Sequence, residues 1–325
     1  LSDQPLSYVE AAAKTVASVI EKGALVILES TSPVGTTEQL VSWLSEARPD
    51  LTFPPVSQGQ PDINVAYCPE RILPGHVLRE LVDNDRIIGG ITPQCAERAE
   101  EFYRIFMQGE CLITNARTAE LAKLTENSFR DVNIAFANEL SLICDQLGVD
   151  VWDLISLANR HPRVNILRPG PGVGGHCIAV DPWFIVSSVP EQARIIRMAR
   201  EINDAKPKYV VERTRSAADR FKNPVVACMG LAYKPDIDDL RESPSLEIAE
   251  ALCDANIGRI MIVEPHIQAL PKRLADKPNA MFCDAVTAIE QADIVLLLVG
   301  HQAFKKINRN SLNQKVVIDT QGVLA

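Results

Sequence analysis

The chain has 325 residues, 46% hydrophobic and 23% charged, enough for two or three domains with their own cores. With 33 basic against 42 acidic side chains the formal charge is −9 and no long basic run occurs, which argues against nucleic acid or an anionic membrane surface as a partner. Apolar runs such as Ile294–Val299 are far shorter than the roughly 20 residues of a membrane span, and eight scattered cysteines without a C-x-x-C pair or a Cys/His cluster predict reduced cytoplasmic thiols and no metal site.

Tyr8–Glu21 has helical apolar spacing, Gly23 stops it, and Ala24–Leu28 reads as a strand buried on both faces. The stretch Glu29–Thr37 follows that strand, at the kind of loop where open α/β sheets bind ligands. Ser30 and Thr31 there serve either a ligand or simply the cap of the next helix, which runs through Trp43. Leu51–Asp62 is a loop, Val65–Tyr67 a short strand, and Cys68–Gly75 a second strand-end loop in which Glu70 is either a solvated acid or a base. Strand Arg86–Gly90, helix Pro93–Met107 and strand Cys111–Ile113 complete what reads as a parallel sheet.

Thr118–Leu147 contains neither Pro nor Gly and carries an apolar stripe of Leu121, Leu124, Val132, Phe136, Leu140 and Ile143. It predicts a helix of about 45 Å, suited to joining two domains or pairing two chains. Lys123 and Asn127 share one of its faces, which is either solvated or turned to a ligand. A helix over Val149–Ala158 leads to Asn159–Arg163, a solvated turn or a grip on phosphate or carboxylate.

Four glycines then fall between Gly170 and Gly175, just ahead of Cys177 and Asp181. Gly170, Gly172 and Gly175 spell G-x-G-x-x-G, but Pro169, Pro171 and Asp181-Pro182 leave no room for the strand and helix of a dinucleotide fingerprint. The stretch is instead a flexible loop that brings backbone donors and a thiol to a substrate, or an ordinary glycine turn before a strand with a buried Cys. Glu191–Ala205 is helical and Lys206-Pro207 predicts its break. A second α/β rhythm follows: strand Val225–Met229, helix Ser243–Ala255, strand Arg259–Val263, helix Ala285–Ala292, and strands Ile294–Val299 and Val316–Ile318. In the loop after its first strand, Lys234 and Arg241 are candidates for phosphates, and Ser243 caps a helix that opens at Pro244.

Glu29-Ser30-Thr31, Cys68-Pro69-Glu70, Lys123 to Asn127, Gly174-Gly175-His176-Cys177 through Asp181, and Lys234 to Pro244 together resemble the UDP-glucose/GDP-mannose dehydrogenase family. Gly175 through Trp183 resembles its UDP-N-acetyl-hexosamine branch. The resemblance implies an α/β fold of two doubly wound Rossmann-like sheets joined by a long central helix, the first sheet incomplete. Its domains would be residues 1–115 for NAD, 116–206 for dimerisation and the Cys loop, and 207–325 for the UDP-sugar. It implies NAD-dependent four-electron oxidation of UDP-N-acetyl-D-mannosamine at C6, for surface polysaccharide synthesis, with UDP-N-acetylglucosamine as the alternative substrate.

Cys177 would be the nucleophile, Lys123 and Asn127 the oxyanion donors, Asp181 and Thr31 the orienting groups and Glu70 the acid/base. Lys234, Tyr233, Gly174, Gly175 and Arg163 would bind substrate, with Arg163 reaching a neighbouring subunit of a homodimer. Ser30, Thr31 and Arg241 would hold NAD, Arg241 from across an interdomain cleft. The family's own N-terminal G-x-G-x-x-G is not found in the chain, so an N-terminal truncation and poor NAD binding are expected, with a non-catalytic UDP-sugar-binding fragment as the alternative to a working dehydrogenase.

Overall fold

The computed structural model describes residues 4–56, 59–72 and 77–325; Leu1 and the Leu73–Gly75 end of the Glu70 loop lie outside the described residues. In chain order the elements are α1 (Gln4–Ala17), β1 (Leu25–Leu28), α2 (Thr36–Ala47), β2 (Asn64–Tyr67), α3 (Val77–Asp83), β3 (Arg86–Gly90), α4 (Pro93–Tyr103), β4 (Cys111–Asn115) and α5 (Ala116–Leu147). There follow α6 (Val151–Ala158), α7 (Asp181–Ser188), α8 (Arg194–Ala218), β5 (Val225–Met229), α9 (Pro244–Asp254), β6 (Arg259–Val263), α10 (Lys272–Ala275), β7 (Ala280–Phe282), α11 (Ala285–Gln291), β8 (Ile294–Leu297) and β9 (Val316–Asp319). Two compact units result, residues 1–128 with 181–194, and residues 129–180 with 195–325. Among the described residues no helix is long and apolar enough to cross a membrane.

The first unit holds a four-stranded sheet in the order β1-β2-β3-β4. It is not wholly parallel: β2 and β3 run antiparallel, paired only at Ala66–Gly90 and Tyr67–Gly89. On one face Leu28, Val65 and Tyr67 pack with Ala13 and Ala17 of α1, Leu40 and Leu44 of α2, and Ala116 and Ala119 of α5. On the other, Ala66, Cys68 and Ile88 pack with Ala96, Ala99 and Tyr103 of α4. Val65, Tyr67 and Ala66, Cys68 go to opposite faces because side chains alternate along a strand.

The second unit holds a five-stranded, wholly parallel sheet in the order β7-β6-β5-β8-β9. Val226, Cys228, Ile260, Ile262, Ile294 and Leu296 face α8 and α9, while Ala227, Met229, Met261, Val263, Val295 and Leu297 face α11. Burial on both faces explains why these strands read as continuous apolar runs. The chain is thus α/β, with two Rossmann-like sheets and a long central helix.

Two helices differ from expectation. α8 does not break at Lys206-Pro207 but runs through it to Ala218. The proline removes one i→i−4 bond, yet 25 residues of helix, with Val210, Thr214 and Ala217 buried, outweigh that loss. On α5 the expected stripe is only partly a core face: Leu124 is buried, but Leu121, Phe136 and Ile143 are exposed. The helix instead packs through small and polar side chains, Ala119, Glu120, Ser128, Asp131, Ala135 and Asn138.

Candidate active site

In the first unit, α5 and α7 bring three of the expected residues together. Asn127 Nδ2 donates to Asp181 Oδ2 at 2.5 Å, and Asp181 is buried at the start of α7. The loop that carries Cys177 is therefore followed by a helix rather than a strand. Burial pushes the Asp181 carboxyl above the usual aspartate range, while the Asn127 bond and the nearby Lys123 charge pull it back. Lys123, one turn before Asn127, is half-buried. Asn127 has a second amide hydrogen beyond the one given to Asp181.

Glu70 is exposed. Its Oε1 accepts the Arg71 amide at 2.6 Å, and its Oε2 lies 3.8 Å from the guanidinium of the buried Arg86. Arg71 in turn pairs with Glu126 at 2.9 Å, on the turn of α5 between Lys123 and Asn127. Thr31 is half-buried and Ser30 exposed, and neither caps α2. The cap is Gly35, in the left-handed region at φ 97°, with no side-chain cap bond. The donors of that helix end go to Glu120, whose carboxylate accepts Gly35 N–H at 2.6 Å, Thr37 N–H at 2.8 Å and the Thr37 hydroxyl at 2.6 Å.

Glu120 and Tyr67 also belong to this cluster. Both are fully buried, and the Tyr67 phenol is pushed well up by burial and then by the carboxylates of Glu120 and Asp181. Glu120 had a signal, since positions 120, 123 and 127 share one helical face. Tyr67 had none beyond ending a strand.

In the second unit, Cys177 is exposed, which removes the buried-Cys alternative, and a turn closes over it from Val180 N–H to the Cys177 carbonyl at 3.0 Å. A cavity of about 390 Å³ is bounded by Arg130, Arg168, Gly170, Tyr233, Lys234 and Gln321, with Gly174 in its wall. A Cβ on Gly174 would sit 2.5 Å from the Glu242 carbonyl oxygen and 2.7 Å from Pro244 Cδ, and one on Gly175 3.2 Å from the Tyr233 ring. These glycines let the loop lie against Tyr233 and the start of α9, where a side chain would meet protein atoms.

Arg241 is exposed and clamped to Asp239 of its own loop, Nε to Oδ1 at 2.9 Å and a terminal nitrogen to Oδ2 at 2.7 Å. That bond, above all, pulls Asp239 down to about 2. Arg163 lies on an exposed turn, where its N–H donates to His161 Nδ1 at 3.3 Å. Ser243 caps α9 as expected, accepting Leu246 N–H at 3.4 Å and donating to the Leu231 carbonyl at 2.6 Å.

Asp236, His266 and His301 place potential metal-ligand atoms within 4.8 Å of one another, from positions too far apart for spacing to reveal. His301 Nδ1, however, accepts the Asp236 N–H at 2.9 Å, and its Nε2 faces Glu264 Oε2 at 3.1 Å. Glu264 also accepts Leu231 N–H at 2.8 Å. Both ring nitrogens are thus spent on holding the Lys234 loop to the end of β6.

The profile of the NAD binding domain of the UDP-glucose/GDP-mannose dehydrogenase family matches residues 2–107, that of its central domain residues 117–205, and that of its UDP binding domain residues 227–325. The chain belongs to this family. Its cofactor is NAD. Among relatives, the NDP-N-acetyl-D-galactosaminuronic acid dehydrogenase of Ralstonia nicotianae is 62% identical over 318 residues, 98% of this chain and 74% of the relative. The UDP-N-acetyl-D-mannosamine dehydrogenase of Escherichia coli is 58% identical over 326 residues, 98% and 77% of the two chains. The solved UDP-D-ManNAc dehydrogenase of Pyrococcus horikoshii superposes with a TM-score of 0.86 at 38% identity, covering 98% of this chain and 74% of its own. Family membership makes the chain an NAD-dependent nucleotide-sugar dehydrogenase.

Proposed function

We propose that the chain oxidises the C6 alcohol of UDP-N-acetyl-D-mannosamine to the uronate, with Cys177 as a covalent nucleophile. The observation that carries this reading is the bond from half-buried Asn127 to buried Asp181 beside Lys123, an amide donor, a carboxylate and a cation at one point of the first unit. In the first step C6 loses a hydride and a proton to become the aldehyde. The Cys177 sulfur then adds to C6, and Lys123 with the second Asn127 N–H stabilises the thiohemiacetal oxygen. Loss of the C6 hydride gives a thioester. Water, oriented by Asp181 and Thr31 and deprotonated with the help of Glu70, releases the carboxylate and the free thiol.

NAD, when bound, supplies the hydride acceptor; Ser30 and Thr31, whose hydroxyls cap no helix, suit its polar groups, with Arg241 as a further contact. On the substrate side, Lys234 and Tyr233 border the cavity that Gly174 also lines, and its three cations, Arg130, Arg168 and Lys234, suit a diphosphate. Gly174 and Gly175 act by setting the loop against Tyr233, and Arg163 acts from the neighbouring subunit. A homodimer through α5 is supported by the apolar side chains that this helix leaves exposed. The domains are residues 1–115 for NAD, 116–206 for the central part and 207–325 for UDP.

A second sugar reading has its own support, because the relative at 62% identity is named for an N-acetyl-D-galactosaminuronic acid. The test is NADH formation from UDP-N-acetylmannosamine, UDP-N-acetylgalactosamine and UDP-N-acetylglucosamine side by side. Two NADH per uronate from the first is expected, and none from any of the three would sink the reading. Cys177→Ser should halt at the aldehyde level; full turnover in that variant would remove the cysteine from the mechanism.

A further inference from the structure

The loop that carries Cys177 is tied to the helical core by a chain of buried polar side chains that the proposed chemistry does not use. Asn138 of α5 accepts the Gly170 N–H at 2.8 Å on its Oδ1 and donates from Nδ2 to Asn203 Oδ1 at 2.8 Å. Asn203 of α8 donates to Asp131 Oδ1 at 2.8 Å and to the Asp131 carbonyl at 3.1 Å. Arg200 closes the chain with a bond to Asp131 Oδ1 at 2.6 Å and another to Asp204. Asn138, Asn203, Asp131 and Arg200 are all at most 1% exposed. A connected set of such bonded groups holds one geometry, and within this one only Asp131 Oδ2 and Arg200 Nε lack a partner among the described residues.

The sequence leaves the loop few other handles. Pro169 and Pro171 flank Gly170, so Gly170 carries the only backbone donor between Arg168 and Gly172. Further along, the loop is also wedged by packing. A Cβ on Gly172 would lie 2.8 Å from Pro244 and 3.1 Å from Pro207, which gives the mid-helix proline of α8 a packing role. Beyond that wedge a cavity of about 440 Å³ lies against Val173, Ala179 and Val180 and reaches Arg200. The residues on either side of Cys177 thus border open space, and the upstream anchor at Gly170 contributes to its placement.

We propose that Asn138, held by Asn203, Asp131 and Arg200, is a positioning residue that fixes the entry of the Gly170–Asp181 loop and so sets where Cys177 stands. This rests on the reading of Cys177 as the nucleophile, although the anchoring itself does not. Asn138→Leu keeps nearly the same volume and removes both bonds.

The experiment measures, in folded full-chain protein, the alkylation rate of Cys177 by iodoacetamide, site by site in a mass spectrometer, together with kcat and KM. In Asn138→Leu the Cys177 rate is expected to change at least fivefold and kcat to fall at least tenfold with KM within about threefold. A folded Asn138→Leu protein with the wild-type alkylation rate overturns the proposal. An altered alkylation rate with unchanged kcat, in a protein whose Cys177→Ser variant also turns over, upholds the anchoring and places the failure in the nucleophile reading. Should Asn138→Leu not fold, deuterium exchange in the wild-type protein decides: the Gly170 amide is expected to exchange at least tenfold more slowly than that of Val173, and equal rates overturn the proposal.

Discussion

Thr37, at the start of α2, gives both its backbone N–H and its hydroxyl to the carboxylate of Glu120, 83 positions later on α5. A helix begins with backbone donors that its own turns cannot satisfy, and here a distant anion meets them, which also suits the positive end of the helix. The loop with Ser30 and Thr31 is thereby fixed to the helix that carries Lys123 and Asn127. Glu120→Gln is expected to destabilise the protein by about 2–3 kcal/mol, because one acceptor oxygen becomes a donor facing donors. Chemical denaturation reads this directly, and an unchanged midpoint and slope would show that the helix end is served by something else.

Much of the architecture was legible because burial writes itself into sequence. β5, β6 and β8 are covered on both faces and read as unbroken apolar runs, and Ser243-Pro244 marked the start of α9 by cap chemistry alone. Reversals of local logic were not legible. Pro207 suggests a break, yet it lies within α8, where its ring abuts Gly172. Ser30 and Thr31 suggest a cap, yet a left-handed Gly35 and the remote Glu120 provide it. The stripe on α5 suggests a core, but the helix buries Asp131 and Asn138 while Phe136 stays exposed.

The candidate site divides in the same way. Lys123 and Asn127 follow from helical spacing, but their partner Asp181 is 54 positions from Asn127, and only the tertiary fold joins them. The Asp236–His301–Glu264 set is invisible for that reason too.

Asp181 illustrates how a site residue can cost stability. Burial raises its pKa above the ordinary 3.8, so the folded state disfavours the ionised form. The cost is absent below the ordinary value, grows as pH rises from about 4 through the raised value, and is complete above it. Asp181→Asn retains an oxygen for the Asn127 amide and removes the charge. The variant is expected to be at least as stable as wild type at pH 7, with the two stability curves converging near pH 4, while kcat falls about 10²–10³-fold through loss of the orienting carboxylate. Thermal melts across pH and steady-state rates check both halves. A variant clearly less stable at pH 7 would mean that the carboxylate is paired better than its burial suggests.

Lys206 makes the complementary case in the second unit. It is 5% exposed, its ammonium donates to Ser141 Oγ, and the Tyr209 ring lies 5.3 Å away. Burial first, and then the Arg213 charge, push it from 10.5 down to about 8, against the pull of Asp145. Above pH 10.5 the amine is neutral in both folded and unfolded chains. Between 10.5 and about 8 the unfolded chain binds a proton that the folded one does not, so stability falls as pH falls through this window and levels off below it. A shift of this size corresponds to about 3 kcal/mol at pH 7. Lys206→Met removes the charge and leaves the Ser141 hydroxyl its bond to the Asn138 carbonyl at 2.6 Å. The variant is expected to unfold with a free energy higher by up to about 3 kcal/mol at pH 7, and the difference from wild type should shrink steadily between pH 8 and 10.5. Because other groups titrate in that range in both proteins, the difference between the two denaturation curves is the quantity to follow. A difference that stays constant across the window would show that Lys206 keeps its ordinary pKa and that its ammonium is as well solvated inside the protein as in water.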